Sequence, residues 1–81
     1  MPPAVTSVVA RDDFTLHVVF ENGESGVLDM KPYLDFGVFR SIGTLAAFKS
    51  VRVAFDTVEW GNGIDLDPEF VHTACVLHPK H

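Results

Sequence analysis

His72, Cys75, His78 and His81 recur at three-residue steps near the end of the chain. Imidazole and thiolate are ligands that Zn²⁺ and softer metals take, which makes His72, Cys75 and His78 the candidate metal set. Cys75 beside His72 or His78 is also the one nearby pairing of a thiol with a base, the start of a nucleophilic site. The spacing argues against both uses. Steps of three drift around a helix of 3.6 residues per turn, so His72 and Cys75 can share a face while all four residues cannot. Pro79 also breaks any helix before His81. The simpler expectation is that Cys75 is a small core residue.

Glu59, Asp65, Asp67 and Glu69 form a second group, next to Gly61-Asn62-Gly63. Carboxylates near a glycine turn could hold Ca²⁺ or Mg²⁺ through oxygen, but the order of ligands in an EF-hand loop is missing. Each acid has a local role instead. Asp67 caps a helix, Pro68 fills its first position, Glu69 favours its dipole, and Asp65 binds the turn made by Gly61 and Gly63. Trp60 and Tyr33 are the candidate binding anchors, since aromatic residues dominate interface energetics. A cleft between the Trp60 turn and the Tyr33 segment would suit a small ligand. The competing expectation for Trp60 is a plug in the core beneath the last helix. No phosphate loop, dinucleotide fingerprint or nucleophile elbow is present, so no cofactor and no catalytic residue is assigned.

These residues must be positioned by a small α+β fold. Val5 to Ala10 reads as a strand, and Phe14, Leu16, Val18 and Phe20 then alternate on one face of a second. Asn22 and Gly23 mark a hairpin, and Ser25 to Met30 returns. A two-residue loop would set Asp29 opposite Leu16. A three-residue loop with left-handed Gly23 sets Leu28 opposite Leu16 and Met30 opposite Phe14, and burial selects that register. Thr15, His17, Val19 and Glu21 fall on the other face, which is either wet or a contact surface. Asp29 suits the N-cap of a short helix at Lys31 to Leu34, and Thr44 that of Leu45 to Lys49. Phe36 to Phe39 reads as a hydrophobic connection. Val51 to Phe55 and Val58 to Trp60 form a second hairpin turning at Asp56-Thr57. A last helix runs from Pro68 through Cys75 toward Leu77 and stops before Pro79. The expected fold is one domain over residues 1–81: a mostly antiparallel sheet with short crossover helices and a C-terminal helix packed on one face.

Composition narrows the function classes. A chain of 81 residues buries only about 60–65% of its unfolded surface, yet 47% of these residues are hydrophobic and seven are Phe. That surplus is expected to be covered by another chain, as a homodimer or against a separately encoded small protein. The net charge is −5, and Arg11, Lys31, Arg40, Lys49, Arg52 and Lys80 are scattered, so direct nucleic-acid binding is not expected. A single cysteine allows no intrachain disulfide. Apolar runs are too short for a membrane span or a signal peptide, and a cytoplasmic protein is expected.

Three blocks carry a resemblance over nearly the whole chain: Leu16 to Glu24, Leu28 to Leu34, and Trp60 to Glu69. They resemble the bacterial family catalogued as domain of unknown function 2442. The third block is the most specific, with its Trp, glycine turn, Asp, apolar residue, cap and proline. The resemblance implies a prokaryotic α+β domain and transfers no catalytic residue. It also implies members fused to a helix-turn-helix reader or encoded beside other small proteins. No such reader lies within these 81 residues, so a regulatory role would need a separate partner.

Overall fold

Val5–Ala10, Thr15–Phe20 and Ser25–Asp29 form strands β1, β2 and β3 of an antiparallel meander. This is a computed structural model, and it describes residues 2–61 and 63–78. Leu16 stands opposite Leu28, and the Met30 N–H donates to the Phe14 carbonyl at 3.1 Å. The three-residue loop is therefore the one adopted, with Gly23 at φ 87°. Burial on the Leu16, Val18 and Phe20 face decides this register, because a one-residue slip would exchange the two faces.

The same turn closes three places in the chain. The N–H of Arg11, Phe20 and Trp60 donates to the carbonyl four residues on, and that carbonyl belongs to Thr15, Glu24 and Ile64. The residue before each acceptor has positive φ: Phe14 at 61°, Gly23 at 87° and Gly63 at 83°. Glycine adopts this conformation without a steric cost. Phe14 does not, and it is held by packing on Phe48 with ring centroids 5.1 Å apart.

A short 3₁₀ turn, Lys31–Tyr33, follows β3, and a second, Gly37–Ile42, covers the expected hydrophobic connection. Asp29 Oδ1 accepts the Lys31 N–H at 3.0 Å, but the residue at the cap position is Met30. Helix α1 is Leu45–Phe48, capped by the Thr44 hydroxyl, which accepts from the Ala47 N–H at 3.3 Å. Strands β4, Arg52–Ala54, and β5, Thr57–Glu59, make a separate two-stranded sheet. Its turn is Phe55-Asp56 rather than Asp56-Thr57, because Thr57 is drawn inward and its hydroxyl donates to the buried Leu66 carbonyl at 2.8 Å. Helix α2 is Pro68–Ala74.

The end of the chain departs from expectation. The last helix stops at Ala74, and Cys75 is already extended at φ −66°, ψ 138°. Val76–His78 is a strand, β6, which pairs with β3 and completes a sheet in the order β1-β2-β3-β6. Sheet hydrogen bonds along β3 outcompete another half-turn of helix. The core lies between this sheet, the β4–β5 hairpin and the helices, and Trp60, Phe20, Phe48 and Leu16 are among its largest fully buried members.

Candidate functional site

Among the described residues, no helix covers the face of the four-stranded sheet turned away from the core. Its side chains follow from the strand register. One row crosses all four strands, with Val9 opposite His17, His17 opposite Val27, and Val27 opposite Val76. A second row runs Ser7, Val19 and Ser25, with His78 at the matching backbone position of β6. Val9 is 52% exposed, Val19 40% and Val76 71%. Asp29 lies beyond these rows at the rim, opposite Thr15, and pairs with Lys31 at 3.0 Å. The result is a surface of valine, serine and histidine with no Asp, Glu, Lys or Arg in either row.

The C-terminal series does not converge among the described residues. The His72 Nε2 lies 3.1 Å from Glu24 Oε1, and its ring stands edge-on to Phe20 with centroids 5.1 Å apart. Asn22 donates to the same Glu24 carboxylate at 2.6 Å, and this bond, followed by that of His72, holds the Glu24 carboxyl below its ordinary value. Cys75 is buried just beyond the helix, so it no longer shares a helical face with His72. The backbone of His78 lies in β6, and His81 falls outside the described residues, as does the Pro79 expected to stop the helix. No group of three or more His, Cys, Asp or Glu among the described residues could hold a metal ion.

Burial pushes the Cys75 thiol up from 9.0 to about 11. That difference lowers its thiolate fraction about 100-fold at neutral pH, while the greater nucleophilicity of a more basic thiolate recovers about tenfold. A thiol-labelling reagent at pH 7.5 is therefore expected to react with the native protein at least about tenfold more slowly than with the urea-unfolded chain. Equal rates in the two states would place Cys75 in a reactive, open setting.

The acidic group also disperses. Glu59 pairs with Arg52 at 3.0 Å, and Asp65 meets Glu59 through a backbone bridge. Asp67 Oδ1 accepts the Glu69 N–H at 2.8 Å as the cap of α2, with Pro68 in the first turn. The Gly61 N–H points to the Ser50 hydroxyl at 3.5 Å, while Asn62 is outside the described residues. Trp60 is fully buried and presents no surface to a partner. Tyr33 is half-buried, edge-on to Phe70 at 5.3 Å. Beside it lies a cleft of ≈ 220 Å³ lined by Met30, Phe39, Leu66 and Phe70, below the range of about 300–1,000 Å³ usual for drug-sized ligands.

The Trp60-to-Glu69 block is thus a structural unit: a plug, a glycine turn, a bridge and a helix cap in sequence. Residues 5–75 match the family described as "Protein of unknown function (DUF2442)". The chain belongs to the DUF2442 family. The DUF2442 match runs from the first residue of β1 to Cys75, so β6 lies beyond it. No curated protein and no solved structure matches the chain.

Sequence reasoning placed Thr15, His17, Val19 and Glu21 on this face, of which His17 and Val19 lie in the exposed rows, and it missed the rest. Val9, Val27 and Val76 join it only through pairing across three strand contacts. Thr15 itself is buried, its hydroxyl donating to Asp13 Oδ1 at 2.6 Å, and Glu21 lies in the loop past the end of β2. Ser7-Val8-Val9-Ala10 shows no polar–apolar alternation that could have assigned Val9 to this face.

Proposed function

We propose that this DUF2442 protein is a non-enzymatic interaction and assembly module of the cytoplasm, which associates with a second copy of itself through the uncovered sheet face. The observation that carries the reading is the Val9–His17–Val27–Val76 row, three valines and a histidine with no Asp, Glu, Lys or Arg among them, on a chain of net charge −5. Self-association of an acidic chain needs a contact patch that brings no like charges together. This face is such a patch. A nucleic-acid role has less support, because Lys31, Lys49 and Arg52 are each committed to a carboxylate and a phosphate-binding surface needs free cations in a cluster. No helix among the described residues is long and apolar enough to cross a membrane.

The size of the face sets the expected strength. At about 3.3 Å per residue, β1 and β2 run about 20 Å, β3 about 16 Å and β6 about 10 Å, so four strands about 4.8 Å apart present on the order of 300 Å² of flat area per copy. Two such faces together fall below the about 1,000 Å² of a stable specific interface, so only a weak, reversible dimer with Kd on the order of 100 μM is expected. Sedimentation analysis from 5 to 500 μM tests this. The wild-type chain should shift from monomer to dimer, and Val19→Lys, at the centre of the face, should stay monomeric with an unchanged melting temperature. A wild-type chain that remains monomeric throughout, or a Val19→Lys chain that dimerises equally well, removes the proposal.

A further inference from the structure

The β4–β5 turn holds the most exposed large apolar side chain among the described residues. Phe55 is 89% exposed, and both turn residues have positive φ, Phe55 at 51° and Asp56 at 67°. A two-residue turn of this kind favours Asn-Gly, and an aromatic residue at its first position costs stability. Neither burial nor backbone preference accounts for a phenylalanine here.

Phe55 forms one wall of a cleft of ≈ 510 Å³. Its apolar lining is completed by Pro2, Pro3, Ala4 and Pro68, and Glu21, Asp56, Asp67 and Glu69 are its acidic lining, with Asp67 also capping the Glu69 N–H. The walls are tied together through the start of the chain. The Glu21 N–H donates to the Ala4 carbonyl at 2.8 Å, and the Val5 N–H donates to the Asp56 carbonyl at 2.9 Å. No Lys or Arg lines the cleft, and none of the four acids enters an ion pair among the described residues.

We propose that this cleft docks a basic peptide segment of a different protein, with an arginine or lysine against the acidic rim and an adjacent aliphatic or proline side chain against Phe55. Charge complementarity selects the occupant. A second copy of this acidic chain is a poorer one, because its net charge is −5 and Lys31, Lys49 and Arg52 already pair with its own carboxylates. Three of the lining residues, Pro2, Pro3 and Pro68, have restricted backbones, so less ordering opposes binding there. The cleft lies apart from the valine rows of the sheet, and the two proposals stand or fall separately.

Fluorescence anisotropy on the full chain tests it, with a labelled peptide of alternating arginine and leucine as probe and the same peptide with glutamate for arginine as control. The basic peptide should bind and the acidic one should not. Phe55→Ala and Glu21→Gln/Glu69→Gln should each weaken binding by about tenfold or more. Phe55→Asn keeps the variant test sound, because asparagine suits the turn. It should hold or raise the melting temperature while losing the same affinity. Val19→Lys should leave the affinity unchanged. Binding by Phe55→Ala and Phe55→Asn as tight as that of the wild-type chain, binding of the acidic peptide, or no binding of the basic peptide at ~1 mM, would each overturn the proposal. Full displacement of the peptide by free spermidine at the same concentration would also overturn it, by assigning the cleft to small polyamines.

Discussion

Trp60→Ala is expected to leave this domain largely unfolded at 37 °C. The indole is fully buried, packs on Phe48 with centroids 6.1 Å apart, and donates its Nε1–H to the Phe48 carbonyl at 2.9 Å. That carbonyl belongs to the last residue of α1, where helical carbonyls lack an intrahelical partner. Truncation thus opens a cavity and also strands a buried acceptor. The cavity alone costs about 3–5 kcal/mol for a large aromatic residue, and an unmet acceptor adds about 1–3 kcal/mol. A domain of this size holds a net stability near the low end of ~5–15 kcal/mol. Trp60→Phe separates the two effects, since it retains most of the ring and removes the donor, and a loss of about 2 kcal/mol is expected. Urea unfolding followed by circular dichroism is the measurement, because the chain has no second tryptophan to report fluorescence. A Trp60→Ala midpoint within the range of surface variants would show that the plug is not a keystone of the core.

The parts of this fold that were legible in the sequence are those with a local cause. The β2–β3 register could be chosen because the wrong loop length sets Asp29 against Leu16, and the structure places Leu28 there. The start of α2 was legible because Asp67, Pro68 and Glu69 each favour it independently. What stayed hidden depends on distant pairing. Val76-Leu77-His78 is too short to show an alternation, and it becomes a strand only because the edge of β3, some fifty residues earlier, is open to it. The Phe55-Asp56 turn lacks glycine and asparagine, so its position had no chemical signal. The cleft beside it was invisible for the same reason, since its lining comes from the chain start, a hairpin loop, a turn and a helix N-terminus. The burial of Trp60 follows from both kinds of cause: its position before the glycine turn was evident, whereas its bond to Phe48 joins two separate elements.

Gly26 is where that distant pairing is most exposed to a single change. It stands opposite Leu77, and a Cβ built on it would lie 2.9 Å from the Val76 carbonyl oxygen, 3.0 Å from the Cys75 Cβ and 3.2 Å from Leu77 Cδ2. Two physical effects of Gly26→Ala have opposite signs. Alanine restricts the unfolded chain and is worth about 0.4–1 kcal/mol of stability where the native backbone accepts it. Overpacking against backbone costs about 1–3 kcal/mol. The nearest atom is a carbonyl oxygen held in the β3–β6 ladder, so it cannot rotate aside as the tip of a flexible side chain would, and the overpacking effect wins. Gly26→Ala is expected to destabilise by about 1–2 kcal/mol, and Gly26→Val by more, chiefly by detaching β6. Hydrogen exchange resolves the mechanism: protection should fall across the β3–β6 ladder while the β1–β2 pairing keeps its own. Because Val76 completes the exposed row, the same variant should weaken self-association even where the rest of the fold persists. A stabilised Gly26→Ala protein would mean that β6 sits farther from β3 than the contacts require, and the fourth strand would then be no part of the assembly face.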